Sequence, residues 1–289
     1  MADATHETLA SVPACPVTPL IVVGGGTMAR ALVGRAAASG LLDGPCVIAE
    51  PDPERRRGLA DLGGAVEPVA SAAQALDLVP YDDAAVLLAV KPQVFAAVAD
   101  ELARAVGPLG ERLVVSIMAG VTIERVRAGV GGRVVRAMPN LPASVGAGAT
   151  ALAVGEDVPA SQADRARRLF AAAGRVFEGA EGQIDAFTAL AGSGPAYLFL
   201  VAEAMAQAGE GLGLPPADAR AMVAAAVRGA GAMLADGGRD PADLRRAVSS
   251  EGGTTRAALD ALEAAGVGDA FRQAVNAAAR RAAELGQGG

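Results

Sequence analysis

Two short stretches carry the residue types that could do chemistry. In the first, Gly24, Gly26 and Ala29 of "GGGTMA" hold a G-x-G-x-x-A spacing behind the apolar run "PLIVV" and ahead of the helical pattern "TMARALVGRAAASG". Strand, glycine turn and helix in that order are the context in which this spacing binds a dinucleotide. Gly24 permits a tight turn, Gly26 lets backbone approach a pyrophosphate, and Ala29 lets the helix lie close to the sheet. The helix N-terminus then turns free N–H groups and partial positive charge toward the phosphates. Glu50 closes the next apolar run, "CVIAE". An acid there either accepts the ribose 2′- and 3′-hydroxyls or stands as a solvated loop residue. The second stretch is "SSEGGTTRAAL", residues 249–259. Hydroxyls and two glycines sit between amphipathic helical segments with no hydrophobic anchor. Helix packing accounts for the flanks but not for this loop. Bare backbone beside glycine suits a small anionic ligand.

What is missing narrows the chemistry. His6 is the only histidine, and Cys15 and Cys46 are the only cysteines. These exclude a histidine-based catalytic triad, a zinc cluster and a disulfide framework, so no metal site is expected. The chain of 289 residues is long enough for two domains, and 52% apolar content marks it as globular. A net charge of −7 argues against nucleic acid or an anionic membrane surface as partner, and the absence of Trp argues against base stacking. Lys91 is the single lysine. Residues 1–18 include Asp3 and Glu7 and lack both a basic and an apolar region, so they do not read as a signal peptide. No uninterrupted run of 18 apolar residues occurs, so no membrane span and a cytoplasmic location are expected.

The elements that must position these residues follow from the hydrophobic pattern. Strands are expected at "PLIVV", "CVIAE", "AAVLLAV", "RLVVSI", "RVVRAMP", "ATALAVGE" and "RVFEG", with helices at "TMARALVGRAAASG", "PERRRGLADLGG", "PQVFAAVADELARAV", "TIERVRAG" and "SQADRARRLFAAAG". The strands are apolar throughout rather than alternating, which predicts a mostly parallel sheet covered by helices on both faces. From about residue 182 only helical periodicity remains, with helices over roughly 184–212, 216–236, 241–248, 254–265 and 268–285. The expected division is a flexible tail over 1–18, an α/β dinucleotide-binding domain over 19–181 and an all-α domain over 182–289.

Taken in order, "VVGGGTMARAL", "LLAVKPQVF", "VVSIMAGVTIERV", "VVRAMPNLPASVGAGATAL", "LAGSGPAYLFLVAEAMAQAGEGLGL" and "RRAVSSEGGTTRAALDALEAAG" resemble pyrroline-5-carboxylate reductase. The resemblance covers roughly residues 19–286, and the last three blocks are its specific part. It implies an N-terminal Rossmann dinucleotide-binding domain, a C-terminal all-α dimerisation domain, and a homo-oligomer built from interlocked dimers, commonly a decamer. It implies hydride transfer from NADPH or NADH to the C=N bond of 1-pyrroline-5-carboxylate, giving L-proline. The cofactor residues it implies are Gly24, Gly26, Thr27, Met28 and Ala29, beside Glu50, which its place after the second strand puts at the ribose. Ala89, Val90, Lys91 and Pro92 would flank the adenosine side, and Ile117, Met118, Ala119 and Asn140 the nicotinamide side. Ser250, Gly252, Gly253, Thr254 and Thr255 would bind substrate: backbone N–H groups around Gly253 and Thr254 would take the carboxylate, and the Thr255 hydroxyl, the catalytic candidate, would face the ring nitrogen. A protonated cyclic imine is already electrophilic and needs only a positioned hydride, so the lack of a usable His or Cys fits.

The chain departs from the family pattern at Thr27, Met118, Leu141, Ala191 and Glu251; the last is expected to face solvent. Glu50-Pro51 stands where NADP-preferring members carry small hydroxyl or basic residues. Arg55, Arg56 and Arg57 either compensate that acid or form a solvated helix face. The bend at Gly192–Pro195 reads as structural. Two other functions stay open on the sequence: reduction of a different cyclic imine, and a dinucleotide-responsive binding protein without turnover.

Overall fold

The computed structural model describes residues 16–63, 65–80 and 82–287. The chain divides into two compact units. One runs as far as Thr188 and takes in the chain again from Arg281; the other is Ala189–Arg280. The boundary lies a few residues beyond the change of hydrophobic period, and the last helix belongs to both units.

The first unit is built on strands β1 (Leu20–Val23), β2 (Cys46–Ala49), β3 (Val66–Val69), β4 (Ala85–Leu88), β5 (Leu113–Ser116), β6 (Arg133–Pro139), β7 (Gly148–Val154) and β8 (Gly174–Glu178). They form one sheet in the order β3-β2-β1-β4-β5-β6-β7-β8, parallel except where β6 meets β7. Its helices are α1 (Thr27–Ala38), α2 (Pro53–Arg57), α3 (Ala72–Leu78), α4 (Phe95–Val106), α5 (Ile123–Val130), α6 (Ala160–Ala171) and α7 (Ile184–Phe187). Every residue of β1, β2, β4 and β5 is buried. The twofold alternation of a strand sorts them into two cores. Ile21, Val23, Val47, Val86 and Leu88 pack with α3, α4 and α5 side chains such as Leu76, Phe95, Leu102 and Val126. Leu20, Val22, Ile48, Leu87 and Val115 pack with Leu32 and Val33 of α1 and Leu169 and Phe170 of α6. Burial on both faces is why these strands show no polar alternation.

The sequence series lacks β3 and α3, and the structure corrects it. β3 reads "VEPV" and buries only Val66, so it offers no apolar run. It is an edge strand paired with β2 alone, a setting that tolerates Pro68, which lies opposite Ile48. The signal for α3 was its cap: the Ser71 hydroxyl accepts the Gln74 N–H at 3.2 Å. Val17 and Thr18, counted with the expected tail, are held in the fold. Val17 is buried, its N–H donates to Leu41 O at 3.0 Å, and Thr18 Oγ1 donates to Asp43 at 2.8 Å. Residues 1–15, with His6 and Cys15, lie outside the described residues.

The second unit holds α8 (Gly194–Gly211), α9 (Pro216–Ala235), α10 (Pro241–Ala247), α11 (Thr254–Ala264) and most of α12 (Val267–Gln287). The chain enters it through a π turn, Thr188–Gly192, rather than a simple proline kink. The Tyr197 hydroxyl donates to Ala189 O at 3.0 Å within that turn. This unit has almost no core of its own. Leu198, Phe199, Leu200 and Met222 are all more than half exposed.

Candidate functional site

The glycine turn is shaped by three different constraints. Gly24 has φ +99°, and a Cβ there would lie 2.7 Å from Ala89 O. Its N–H donates to Ala49 O at 2.8 Å, tying the turn to β2. A Cβ on Gly25 would lie 2.6 Å from the Leu59 side chain, a packing demand the G-x-G spacing does not reveal. Gly26 differs: a Cβ would meet nothing within 4 Å. Nothing inside the protein requires glycine there, so the open space in front of it is what a bound group would fill. Gly26 is also the N-cap of α1, which has no side-chain cap and no acid in its first turn. Unspent amide donors and the positive end of α1 therefore face that space, and a pyrophosphate fits the chemistry of this donor set. Ala29 is buried against the sheet, Met28 packs on the same core and Thr27 is exposed.

The other cofactor candidates gather at the carboxyl edge of the same sheet. Ala89–Pro92 follow β4, Ile117–Ala119 follow β5 and Asn140 follows β6. In the order β2-β1-β4 the chain reverses direction of winding beside β1, and this reversal is where doubly wound sheets bind ligands. The Met118 side chain is buried in the core, which leaves only its backbone to face a ligand, while Ile117 and Ala119 are half-buried. Asn140 is buried, and its Oδ1 accepts the Ala149 N–H at 2.8 Å, so it braces the start of β7. Lys91 is exposed. Gly120, which the motifs did not flag, closes the loop after β5. It has φ +74°, and a Cβ there would lie 2.8 Å from the Leu285 carbonyl carbon, so the end of α12 seats on this loop. No local pattern could have shown this, because the partner is 165 residues away.

Glu50 is not a solvated acid. It is 3% exposed. Its Oε2 accepts the Gly25 N–H at 3.0 Å and its Oε1 the Asp52 N–H at 3.0 Å. The Asp52 carboxyl caps α2 by accepting the Arg55 and Glu54 N–H groups, and these hydrogen bonds, that of Arg55 foremost, hold it below the usual carboxylate range. Burial pushes the Cys46 thiol up to about 12, so it stays protonated and is no nucleophile. Among the described residues no group of three or more His, Cys, Asp or Glu could hold a metal ion.

The hydroxyl loop connects α10 to α11 in the helical unit. Gly252 has φ +71°, which only glycine adopts readily. A Cβ on Gly253 would lie 2.7 Å from Ser250 Oγ. The Gly253 N–H donates to Ser250 O at 3.1 Å and is thus committed to the turn, unlike the expectation that it would take a carboxylate. Gly253 is the N-cap of α11 with no side-chain cap, so Thr254 and Thr255 open the helix with amides that lack intrahelical acceptors. Both threonines are exposed, and Glu251 faces solvent as expected.

A glycine turn at the winding reversal of a Rossmann sheet, followed by a helical unit with almost no core of its own, marks a two-domain protein of the dinucleotide-binding class. Comparison with known proteins narrows the class. Residues 181–285 match the family model for pyrroline-5-carboxylate reductase dimerisation, and residues 19–120 that for NADP oxidoreductase, coenzyme F420-dependent. A pyrroline-5-carboxylate reductase of Thermus thermophilus is 42% identical, covering 93% of this chain and 98% of its own. That of Pseudomonas aeruginosa is 40% identical over the same shares. The solved structure of the Coxiella burnetii enzyme, 35% identical, superposes with a TM-score of 0.81 over 92% of this chain and 97% of its own. The chain belongs to the pyrroline-5-carboxylate reductase family.

Proposed function

We propose that the chain reduces the C=N bond of 1-pyrroline-5-carboxylate to L-proline with NADH or NADPH, the last step of proline biosynthesis. Kinship along nearly its whole length carries this reading. The dinucleotide supplies the hydride. The protein binds and orients it: Gly24, Gly26, Thr27, Met28 and Ala29 hold the pyrophosphate, Glu50 and Ala89–Pro92 border the adenosine ribose, and Ile117, Met118 (by its backbone), Ala119 and Asn140 border the nicotinamide. Ser250 and Gly252–Thr255 hold the substrate. The free amides at Thr254 and Thr255 take the carboxylate, and the Thr255 hydroxyl orients the ring nitrogen. The reaction adds one hydride to the imine carbon and leaves one proton on nitrogen, so orientation and exclusion of water suffice and no imidazole is needed.

The active form in this reading is a cytoplasmic homo-oligomer, a dimer whose copies cover each other's helical units and assemble further into decamers. Nucleic acid and membrane play no part in it. The test follows absorbance at 340 nm with 1-pyrroline-5-carboxylate and either dinucleotide. Substrate-dependent oxidation supports the reading, and a folded protein that binds dinucleotide without oxidising it removes the reading. Thr255→Ala should lower turnover on the order of a hundredfold with dinucleotide affinity nearly unchanged; full activity would remove Thr255 from the site.

A further inference from the structure

We infer that this chain selects NADH over NADPH, with Glu50 as the residue that sets the preference; this rests on the reading that the glycine turn holds a dinucleotide. The two cofactors differ only by a phosphate on the adenosine 2′-hydroxyl, and that position lies at the end of β2 in a Rossmann domain. Here the chain continues from β2 as Glu50-Pro51-Asp52-Pro53-Glu54, with three carboxylates and no hydroxyl side chain.

Glu50 cannot swing aside. Both its oxygens are pinned by backbone N–H groups, of Gly25 and Asp52, each at 3.0 Å. A carboxylate has about four acceptor sites and no donor, so the unused ones suit sugar hydroxyls and offer nothing to a phosphate. Nor does the backbone help. Pro51 and Pro53 have no N–H, the Asp52 N–H is spent on Glu50, and the Glu54 and Arg55 N–H groups are spent on Asp52. A 2′-phosphate carries a charge of roughly −2, and its repulsion by a fixed, poorly solvated carboxylate does not require contact.

The neighbouring arginines do not reverse this. Arg55 lies 3.5 Å from both the Glu50 and the Asp52 carboxylates. Arg57 pairs with Glu54 and donates to Pro53 O at 3.2 Å. Arg30 donates to Gly58 O at 2.7 Å. Arg56 has no carboxylate partner among the described residues and is held by two carbonyls, Glu50 O at 2.7 Å and Pro51 O at 3.1 Å. Lys91 follows β4, two strand spacings from β2, or about 10 Å.

The experiment is equilibrium titration of the full-length protein with NADH, NADPH, ADP and 2′-phospho-ADP, by nicotinamide fluorescence and calorimetry, without substrate. NADH should bind at least roughly tenfold more tightly than NADPH, and ADP more tightly than 2′-phospho-ADP. Glu50→Gln, which keeps the shape and removes the charge, should narrow both ratios, and Arg56→Ala should leave them unchanged. NADPH binding as tightly as NADH, a ratio indifferent to Glu50→Gln, or loss of NADPH affinity in Arg56→Ala each overturns the inference alone. Binding of none of the four ligands removes the dinucleotide reading and this inference with it. The wild-type titrations stand even where a variant fails to fold.

Discussion

Gly24 and Gly26 stand two residues apart, and the absence of a side chain means something different at each. At Gly24 the left-handed backbone and the Ala89 carbonyl 2.7 Å from a Cβ make glycine a condition of folding. Gly24→Ala should therefore cost about 2 kcal/mol or more of stability, read from the midpoint of urea unfolding. At Gly26 a Cβ meets nothing within 4 Å. Gly26→Ala should stay within about 0.5 kcal/mol of wild type. Its dinucleotide affinity should fall at least roughly tenfold, because the methyl group stands where the phosphates approach. Equal loss of stability in both variants would contradict this division of roles. Glu50 shows the same contrast between type and setting: the sequence allowed ribose ligand or surface acid, and its burial between two amide partners excludes the surface acid.

Between elements, Arg136 on β6 is a buried polar anchor of the first unit. Its side chain is 7% exposed and pairs with Glu181 at 3.2 Å and Asp185 at 3.6 Å. Glu181 also accepts the Ile123 N–H at 2.7 Å, so strand, the start of α5 and the segment leading into α7 are joined through one carboxylate. Arg136→Ala should cost about 2 kcal/mol, less than a fully buried pair because both acids are about one-third exposed. Hydrogen exchange at the Ile123 amide should quicken in the same variant. Unchanged exchange there would mean that the 181–185 segment is held by other contacts. The strands of the sheet were legible where both faces are buried, since an unbroken apolar run marks them. β3 was not, because an edge strand with one buried residue carries no such mark. The π turn was foreseen only as a bend, since glycine and proline announce a break without specifying its hydrogen bonding.

Across the whole molecule, the helical unit exposes side chains that a monomer would keep from water. Phe199 is 62% and Leu200 67% exposed. Glu181–Gly211 is, among the described residues, the one helical stretch long and apolar enough by length and composition to cross a membrane. The sequence contains no uninterrupted run of 18 apolar residues, so no span was expected; averaging hides the interruptions, among them Asp185 and Glu203. Family membership gives the apolar face another occupant, a second copy of the chain. Leu200→Glu should therefore shift the protein toward smaller species in light scattering and lower its thermal midpoint, and wild type should show a midpoint that rises with protein concentration. An unaltered assembly in Leu200→Glu would place the subunit contact elsewhere on the helices.

By itself the sequence determined the class of fold, the position of the glycine turn, the helical second unit and the family. These are written in local periodicity, in the order of strand, turn and helix, and in short motifs whose members are neighbours in the chain. Only the tertiary structure decided which motif residues are free to meet a ligand. It committed the Gly253 N–H to Ser250, buried the Met118 side chain, braced Asn140 against Ala149, and pinned Glu50 between Gly25 and Asp52. It also brought the end of α12 onto Gly120. The reason is physical: a residue's type sets what it can donate, accept or exclude. Whether that capacity is already spent depends on partners that the fold, not the local sequence, brings within reach.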